Sequence, residues 1–331
     1  MTVLPRIVFL ATGGTIAGSA SSAASAASYR AATVPVSALL SAVPAIGALA
    51  RVESEQVAQV DSKDMRFETW GVLAERVAHW AAQPDVAGIV ITHGTDTLEE
   101  TAMFLHATQR HAVPVVLTAA MRPSTSLSAD GPLNLLDAVR VATHPDAAGH
   151  GVLVVLNQQI HAARDVTKAH TSSVNAFVSP LTGPVGFVQD DFVRIVRAGR
   201  ESGAVWPVPQ AWPMVEIVAS YANPGRVMVD AVVAAGVRGL VVAAAGNGSV
   251  HQTLIDALSD AARAGVAVVR SSRTGAGHVA IPAHPEPEAG VFVSAGDLNP
   301  YKARTVLALA LAAAPTLAAE PAKLQAIFAG I

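Results

Sequence analysis

The chain has no cysteine. That excludes disulfides, thiolate-bound zinc, iron–sulfur clusters and a thiol nucleophile, and it leaves the redox compartment open. Charge is also scarce: 14% of the 331 residues are Asp, Glu, Lys or Arg, and 22 basic against 25 acidic residues give a formal charge of −3. No basic block or aromatic–basic patch is dense enough to neutralise a row of phosphates, so nucleic acid is not an expected partner. Long apolar runs are missing too. Val34–Ala50 and Val306–Ala319 are broken by Pro44 and Pro315 and fall short of the roughly 18 uninterrupted residues a membrane span needs. The N-terminal MTVLPRIVFLATGG has no charged region ahead of its apolar run and leads into glycines instead of a cleavage site. It reads as mature sequence, with the cytoplasm as the expected location. A GxSxG elbow, an HExxH pair and an evenly spaced His/Asp/Glu cluster are all absent, so no metal is expected.

What is present is a large supply of core. Apolar residues make up 51% of the chain, and at roughly 100–200 residues per domain this length suggests two globular domains. Short β-branched runs recur at Ile7–Ala11, Gly88–Thr92, Val115–Thr118, Val152–Leu156, Gly239–Ala244 and Val266–Val269. Most are followed by a segment of helical period, such as Thr97–Arg110 or Leu133–Thr143. That alternation predicts an α/β fold with a largely parallel sheet. Between Arg194 and Glu216 the period lapses and Pro207, Pro209 and Pro213 appear, as in an interdomain connection. The expected organisation is therefore a larger N-terminal α/β domain over residues 1–195, a linker over 196–215 and a smaller C-terminal α/β domain over 216–331. Ser19–Ala32, rich in Ser and Ala, reads as an active-site loop or as low-complexity filler.

In such sheets functional loops sit at the carboxyl ends of the strands, which directs attention to two segments. In ATGGTIAG, Ala11–Gly18, two glycines permit close backbone approach and two hydroxyls, Thr12 and Thr15, flank them. The spacing matches neither GxGxxG nor GxxxxGK[ST], so a phosphate loop fits poorly; a structural turn and a ligand loop both remain open. In GIVITHGTDTLEETA, Gly88–Ala102, residues His93, Thr95, Asp96 and Thr97 fall at the end of a strand and the start of a helix. Helix capping with Glu99 or Glu100 as partner would account for one of them, and His93 alone reads as a packed histidine. Lysine occurs only at positions 63, 168, 302 and 323. Lys168 follows a strand and, if desolvated, could serve as a base. A threonine hydroxyl is a weak nucleophile that needs such a base and an oxyanion site.

ATGGTIAG and GIVITHGTDTL, in this order, resemble the two signature motifs of the bacterial-type L-asparaginase/glutaminase family of amidohydrolases. The resemblance extends through VDSKDM at Val60–Met65, TAAMRPSTSLSADGPLNL at Thr118–Leu135, IHAARDVTKAHTSSVNAF at Ile160–Phe177, GNGSV at Gly246–Val250, SSRTGAG at Ser271–Gly277 and AGDLNPYKAR at Ala295–Arg304. It implies a type II-like L-asparaginase that splits the side-chain amide of L-asparagine through an acyl-enzyme, with no metal or organic cofactor. It further implies Thr12 as the primary nucleophile, a second triad of Thr95, Asp96 and Lys168, and Asp96 as the holder of the substrate's α-ammonium. Which of the two threonines attacks first is left open. Ser62 is implied in binding the α-carboxylate with backbone help near Gly94 and Thr95, and Tyr29 in orienting Thr12 when its loop closes.

Asn247 matches an asparagine that reaches into a neighbouring subunit's site, which implies a homotetramer, a dimer of dimers with intersubunit active sites. Two departures stand out. Lys63 occupies a position where the family often has Gln or Glu, and its cation would repel an α-ammonium. The acidic residue from the second subunit should fall in HVAIPAHPEPEAG, where Glu286 and Glu288 are candidates. The competing readings are an amidohydrolase preferring glutamine or another amide, and a non-catalytic amino-acid-binding α/β protein. An amidotransferase D subunit, which normally carries an extra N-terminal domain, fits less well.

Overall fold

The computed structural model describes residues 3–24, 28–199, 205–281 and 292–331. The chain divides into two compact units, Met1–Glu201 and Ser202–Ile331. The larger contains strands β1 (Arg6–Gly13), β2 (Arg51–Val60), β3 (Val86–Thr92), β4 (Val115–Thr118), β5 (Val152–Leu156), β6 (Gln159–Ala162), β7 (Thr167–Lys168), β8 (Phe177–Val178), β9 (Gly186–Gln189) and β10 (Phe192–Ile195). Its helices are α1 (Val36–Ser41), α2 (Ile46–Leu49), α3 (Phe67–Ala81), α4 (Leu98–Thr108) and α5 (Gly131–Thr143).

Eight of the strands form one sheet in the order β10-β9-β6-β5-β4-β3-β1-β2. From β2 to β5 the pairing is parallel, and β6, β9 and β10 add an antiparallel edge. The central strands read as continuous β-branched runs because helices cover both faces. Ile7, Phe9 and Ala11 pack with Val90, Val116, Leu153 and residues of α1, α2 and α5. Val8 and Leu10, pointing the other way by the two-residue period of a strand, are buried as well. On that side α3 and α4 are joined by the stacked rings of Trp70 and Phe104, 4.8 Å apart.

The strongly apolar strands fall where the sequence predicts them. β2 does not: its RVESEQVAQV alternates and is largely exposed, as an edge strand with one wet face must be, and that pattern hides it from a search for apolar runs. The short antiparallel strands at the other edge escape the same search. The segment Ser19–Ala32, expected to be irregular, is partly paired, since Ser19 and Arg30 form an antiparallel bridge.

The smaller unit contains β11 (Val215–Ala219), α6 (Val227–Ala234), β12 (Gly239–Ala244), α7 (Gln252–Arg263), β13 (Ala267–Ser272), β14 (Phe292–Ser294), α8 (Pro300–Ala313) and α9 (Pro321–Gly330). Its sheet is parallel throughout in the order β11-β12-β13-β14. Both faces of the sheet are packed: Val229, Leu240, Val242, Leu254, Leu258 and Val268 are buried on the side of α6 and α7, and α8 buries Val306, Leu307 and Leu309 on the other. Among the described residues no helix is long and apolar enough to cross a membrane.

What positions the site is the order β2-β1-β3. From β1 the chain leaves to one side and later returns on the other, so the loops after β1 and β3 diverge at a topological switch point. In open α/β sheets that is where a ligand crevice forms.

Candidate active site

The two loops at the switch point touch through glycine. Gly14 has φ 81°, and a Cβ built on it would lie 2.2 Å from the Cα and 2.3 Å from the N of Gly94. A Cβ on Gly94 would in turn lie 2.5 Å from the Ser62 Oγ. Any side chain at Gly14 would therefore push the loops apart, which gives the glycines in ATGGT and HGTD a steric reason. The N–H of Gly14 also donates to the carbonyl of Val60 at 3.0 Å, tying the start of the Ser62 turn to the same crevice.

Around this contact the hydroxyls have distinct partners. Thr12 is buried, and its Oγ1 donates to the backbone carbonyl of Thr92 at 3.0 Å. Thr15 begins a short 3-10 turn, Thr15–Ala17, and its Oγ1 lies 2.7 Å from the phenol oxygen of Tyr29. The structure departs here from the expectation. Tyr29 meets Thr15, not Thr12, because Thr12 still belongs to β1 and its hydroxyl lies against the neighbouring strand β3. Its hydrogen is engaged by a peptide carbonyl, which cannot take up a proton as a base does. Thr15, one turn further on, is the hydroxyl beside the Tyr29 phenol. Reading the motif alone picks out both threonines and cannot tell which one leaves the sheet.

Across the glycine contact, Lys168 on the two-residue strand β7, paired with β8, sends its Nζ to the Oγ1 of Thr95 at 2.9 Å and to Oδ1 of Asp96 at 2.6 Å. The Asp96 N–H donates to the Ser62 Oγ at 3.1 Å, and the Thr97 Oγ1 donates to the Ser62 carbonyl at 2.8 Å. Thr97 therefore makes no side-chain cap on α4; the capping reading of this motif gives way to a brace between the two turns. The structure thus brings Ser62, Gly94, Thr95, Asp96 and Lys168 together.

His93 lies beneath this cluster, fully buried. Its Nδ1 is 2.7 Å from the Gly94 carbonyl and its Nε2 is 2.9 Å from the Thr101 Oγ1. Trp70 Nε1 donates to that same hydroxyl at 2.8 Å. One assignment satisfies every atom: Trp70 donates to Thr101, Thr101 donates to Nε2, and Nδ1–H donates to Gly94. Burial pushes the imidazole down to about 4, so His93 is neutral at ordinary pH and serves as a strut for the Gly94 peptide.

Lys63 does not stand as a free cation. Its Nζ bonds Oδ2 of Asp61 and Oδ2 of Asp64, each at 2.9 Å, and the two carboxylates hold its pKa above the ordinary lysine value. Asn247 is in the smaller unit, exposed in the Ala245–Ser249 turn after β12, where its Oδ1 accepts from the N–H of Ala280 at 2.8 Å. Glu286 and Glu288 lie outside the described residues.

Residues 6–199 match the family model described as "Asparaginase, N-terminal", and residues 214–328 match the "Glutaminase/Asparaginase C-terminal domain". The chain belongs to the asparaginase family. Similarity to asparaginase-family proteins runs over nearly its full length. It is 44% identical to L-asparaginase 2 of Bacillus subtilis (strain 168), over 98% of this chain and 86% of that one. It is 41% identical to a glutaminase-asparaginase of Pseudomonas fluorescens biotype A, over 94% and 87%. A crystal structure of a probable cytoplasmic L-asparaginase from Campylobacter jejuni superposes with a TM-score of 0.94 at 41% identity, covering 99% of this chain and 100% of that one.

Proposed function

We propose that the chain is an L-asparaginase that hydrolyses the side-chain amide of L-asparagine to L-aspartate and ammonia, with Thr15 as nucleophile. The observation that carries this reading is the meeting, across the Gly14–Gly94 contact, of one hydroxyl paired with a phenol and another paired with an amine beside a carboxylate. Thr15 replaces Thr12 in the role implied by resemblance, since the Thr12 hydrogen is spent on Thr92.

In the first step the Thr15 oxygen attacks the amide carbon while the Tyr29 phenol orients its lone pair. The C–N bond breaks, and the nitrogen leaves as ammonia with the proton that Thr15 gives up. Lys168 donates to the Thr95 oxygen, which leaves the Thr95 O–H free to donate to the departing nitrogen. Water then adds to the ester, aspartate departs and Thr15 regains its hydrogen. Asp96 receives the α-ammonium, and Ser62 with the Gly94–Thr95 backbone receives the α-carboxylate. Fixing both charged ends of the substrate supplies orientation, one of the larger sources of rate. Lys63, neutralised by Asp61 and Asp64, adds little repulsion to that α-ammonium.

A second reading, glutamine as the preferred amide, is favoured by the likeness to a glutaminase-asparaginase. A coupled ammonia assay with asparagine, glutamine and an asparaginyl peptide separates the readings. Asparagine is expected to give the highest kcat/KM, and a larger value for glutamine would install the second reading. Aspartate binding with no ammonia from any amide would reduce the protein to a binding module.

For the assembly we propose a homotetramer in which Asn247 and an acidic residue, Glu286 or Glu288, complete a neighbour's site. Supporting it, the edge hairpin of β9 and β10 leaves Phe187 and Phe192 exposed, their rings 6.3 Å apart. Apolar side chains grouped in this way commonly mark a protein interface. Light scattering should give four times 33.8 kDa; a fully active monomer would end the proposal. The cytoplasm is the proposed location, to be checked by fractionation.

A further inference from the structure

The segment Met121–Asp130 belongs to the stretch that resembles the family, yet it has no role in the reading above. It grips the loop that carries Tyr29. Gly18 closes the turn that begins at Thr15, and three neighbours hold it. Its N–H donates to the Thr15 carbonyl at 2.8 Å. Its Cα faces the Tyr29 ring so closely that a Cβ would lie 3.0 Å from Cδ2. Its carbonyl accepts two hydrogen bonds from Ser124, one from the backbone N–H at 3.0 Å and one from Oγ at 2.8 Å.

The grip continues outward along the same arm. The Ala20 N–H donates to the Thr125 Oγ1 at 2.9 Å, and the Leu127 N–H donates to the Ala23 carbonyl at 3.0 Å. Between Gly18 and Ala20, Ser19 exchanges two backbone hydrogen bonds with Arg30, both 2.9 Å, so the gripped arm is paired with the residue that follows Tyr29. The gripping loop is itself anchored. The Asp130 carboxylate accepts from the N–H groups of Met121 and Arg122 at 2.9 and 3.0 Å, and the Arg122 guanidinium donates to the Ser128 carbonyl at 3.0 Å. Asp130 immediately precedes α5, whose Leu135, Ala138 and Val139 are part of the core.

We propose that Ser124 and Thr125 are positioning residues for the Thr15–Tyr29 pair, acting through Gly18 and Ala20. The proposal rests on the reading that makes Tyr29 the partner of the nucleophile. A hydroxyl–phenol contact of 2.7 Å is lost with a shift of a fraction of an ångström, and misplacement of about 1 Å can cost on the order of a hundredfold in rate. Both side chains are exposed at their outer surface, so replacing them leaves the core intact.

The experiment is a double-mutant cycle on purified enzyme, with kcat and KM for asparagine and the unfolding temperature as readouts. Ser124→Ala combined with Thr125→Val should lower kcat about five- to tenfold in the otherwise unchanged protein and less than about twofold in a Tyr29→Phe background. The unfolding temperature should be nearly unchanged. The conservative pair Ser124→Thr and Thr125→Ser, which keeps both hydroxyls, should restore the rate. An equal loss in both backgrounds would show that the loop acts independently of Tyr29, and no loss beside an impaired Tyr29→Phe would show that the grip is dispensable; either overturns the proposal. Full activity of Tyr29→Phe alone would instead remove the underlying reading of Tyr29, and the grip's role with it.

Discussion

The loops after β1 and β3 each present a buried threonine to the same crevice, but they equip it differently. After β3 the partners are charged and close in sequence: Thr95 and Asp96 are adjacent, and a single lysine from β7 reaches both. After β1 the partner is a phenol, delivered by a long excursion that returns to the site at Tyr29. The first arrangement can move protons and hold an ammonium, and the second can hold and orient a nucleophile. In the proposed mechanism a hydroxyl's role follows what lies against its oxygen: for Thr12 that is the Thr92 carbonyl, and for Thr15 the Tyr29 phenol.

The sharpest way to break that comparison is to remove the hydroxyls one at a time. Thr15→Ala should lower kcat by on the order of a thousandfold or more, whereas Thr12→Val should keep the rate within about tenfold and cost roughly 0.5–1.5 kcal/mol of stability by removing the hydroxyl's hydrogen bond to the Thr92 carbonyl. The opposite pattern, measured by ammonia release and urea unfolding, would return the nucleophile to Thr12. On the charged side, Lys168→Met should lower kcat by about a hundredfold or more, with Thr95→Val giving a similar loss. Additive losses in the double variant would show that the two act separately and not as one relay.

The strut beneath the charged loop offers a pH test. His93 when unfolded takes up its proton below about 6.5, and when folded only below about 4. The unfolded state therefore binds more protons between these values, and the folded state loses stability as the pH falls through that window. At 1.36 kcal/mol per unit the loss totals about 3 kcal/mol, and above 6.5 this contribution is flat. Urea unfolding of the wild type and of His93→Gln between pH 7 and 4 should show the steeper decline in the wild type, and equal slopes would count against the neutral strut.

The smallest effect concerns the long excursion after β1. Ala32 is held at φ 54°, in the left-handed region where an L-residue pays about 1–2 kcal/mol. Ala32→Gly relieves that strain and adds about 0.5–1 kcal/mol of unfolded-chain entropy, so a net gain of about 0.5–1 kcal/mol is expected. A loss of stability in thermal unfolding would mean that the methyl group packed near Gly13 matters more than the strain.

Much of this was legible beforehand. β1, β3, β4, β5 and β12 are continuous β-branched runs, and a strand buried on both faces has little alternative to that composition. β2 was not, because its polar alternation serves an exposed edge. Thr95, Asp96 and Lys168 can be located by pattern, at a strand end and as a rare lysine, whereas Ser62 enters only through the family resemblance. Thr15 was visible only as a flanking hydroxyl, and Ser124 and Thr125 only as part of a resembling stretch, because their partners are distant in the chain and no periodicity reports a hydrogen bond across a loop.

The order of strands and helices and the glycines that allow two turns to meet follow from residue types and spacing, which act locally and leave a regular trace, while the family is carried by the resemblance of whole motifs. Which threonine faces the phenol and what holds Gly18 in place were decided by tertiary structure. Those outcomes depend on contacts of about 3 Å between residues 14 and 106 positions apart in sequence, which no local pattern records.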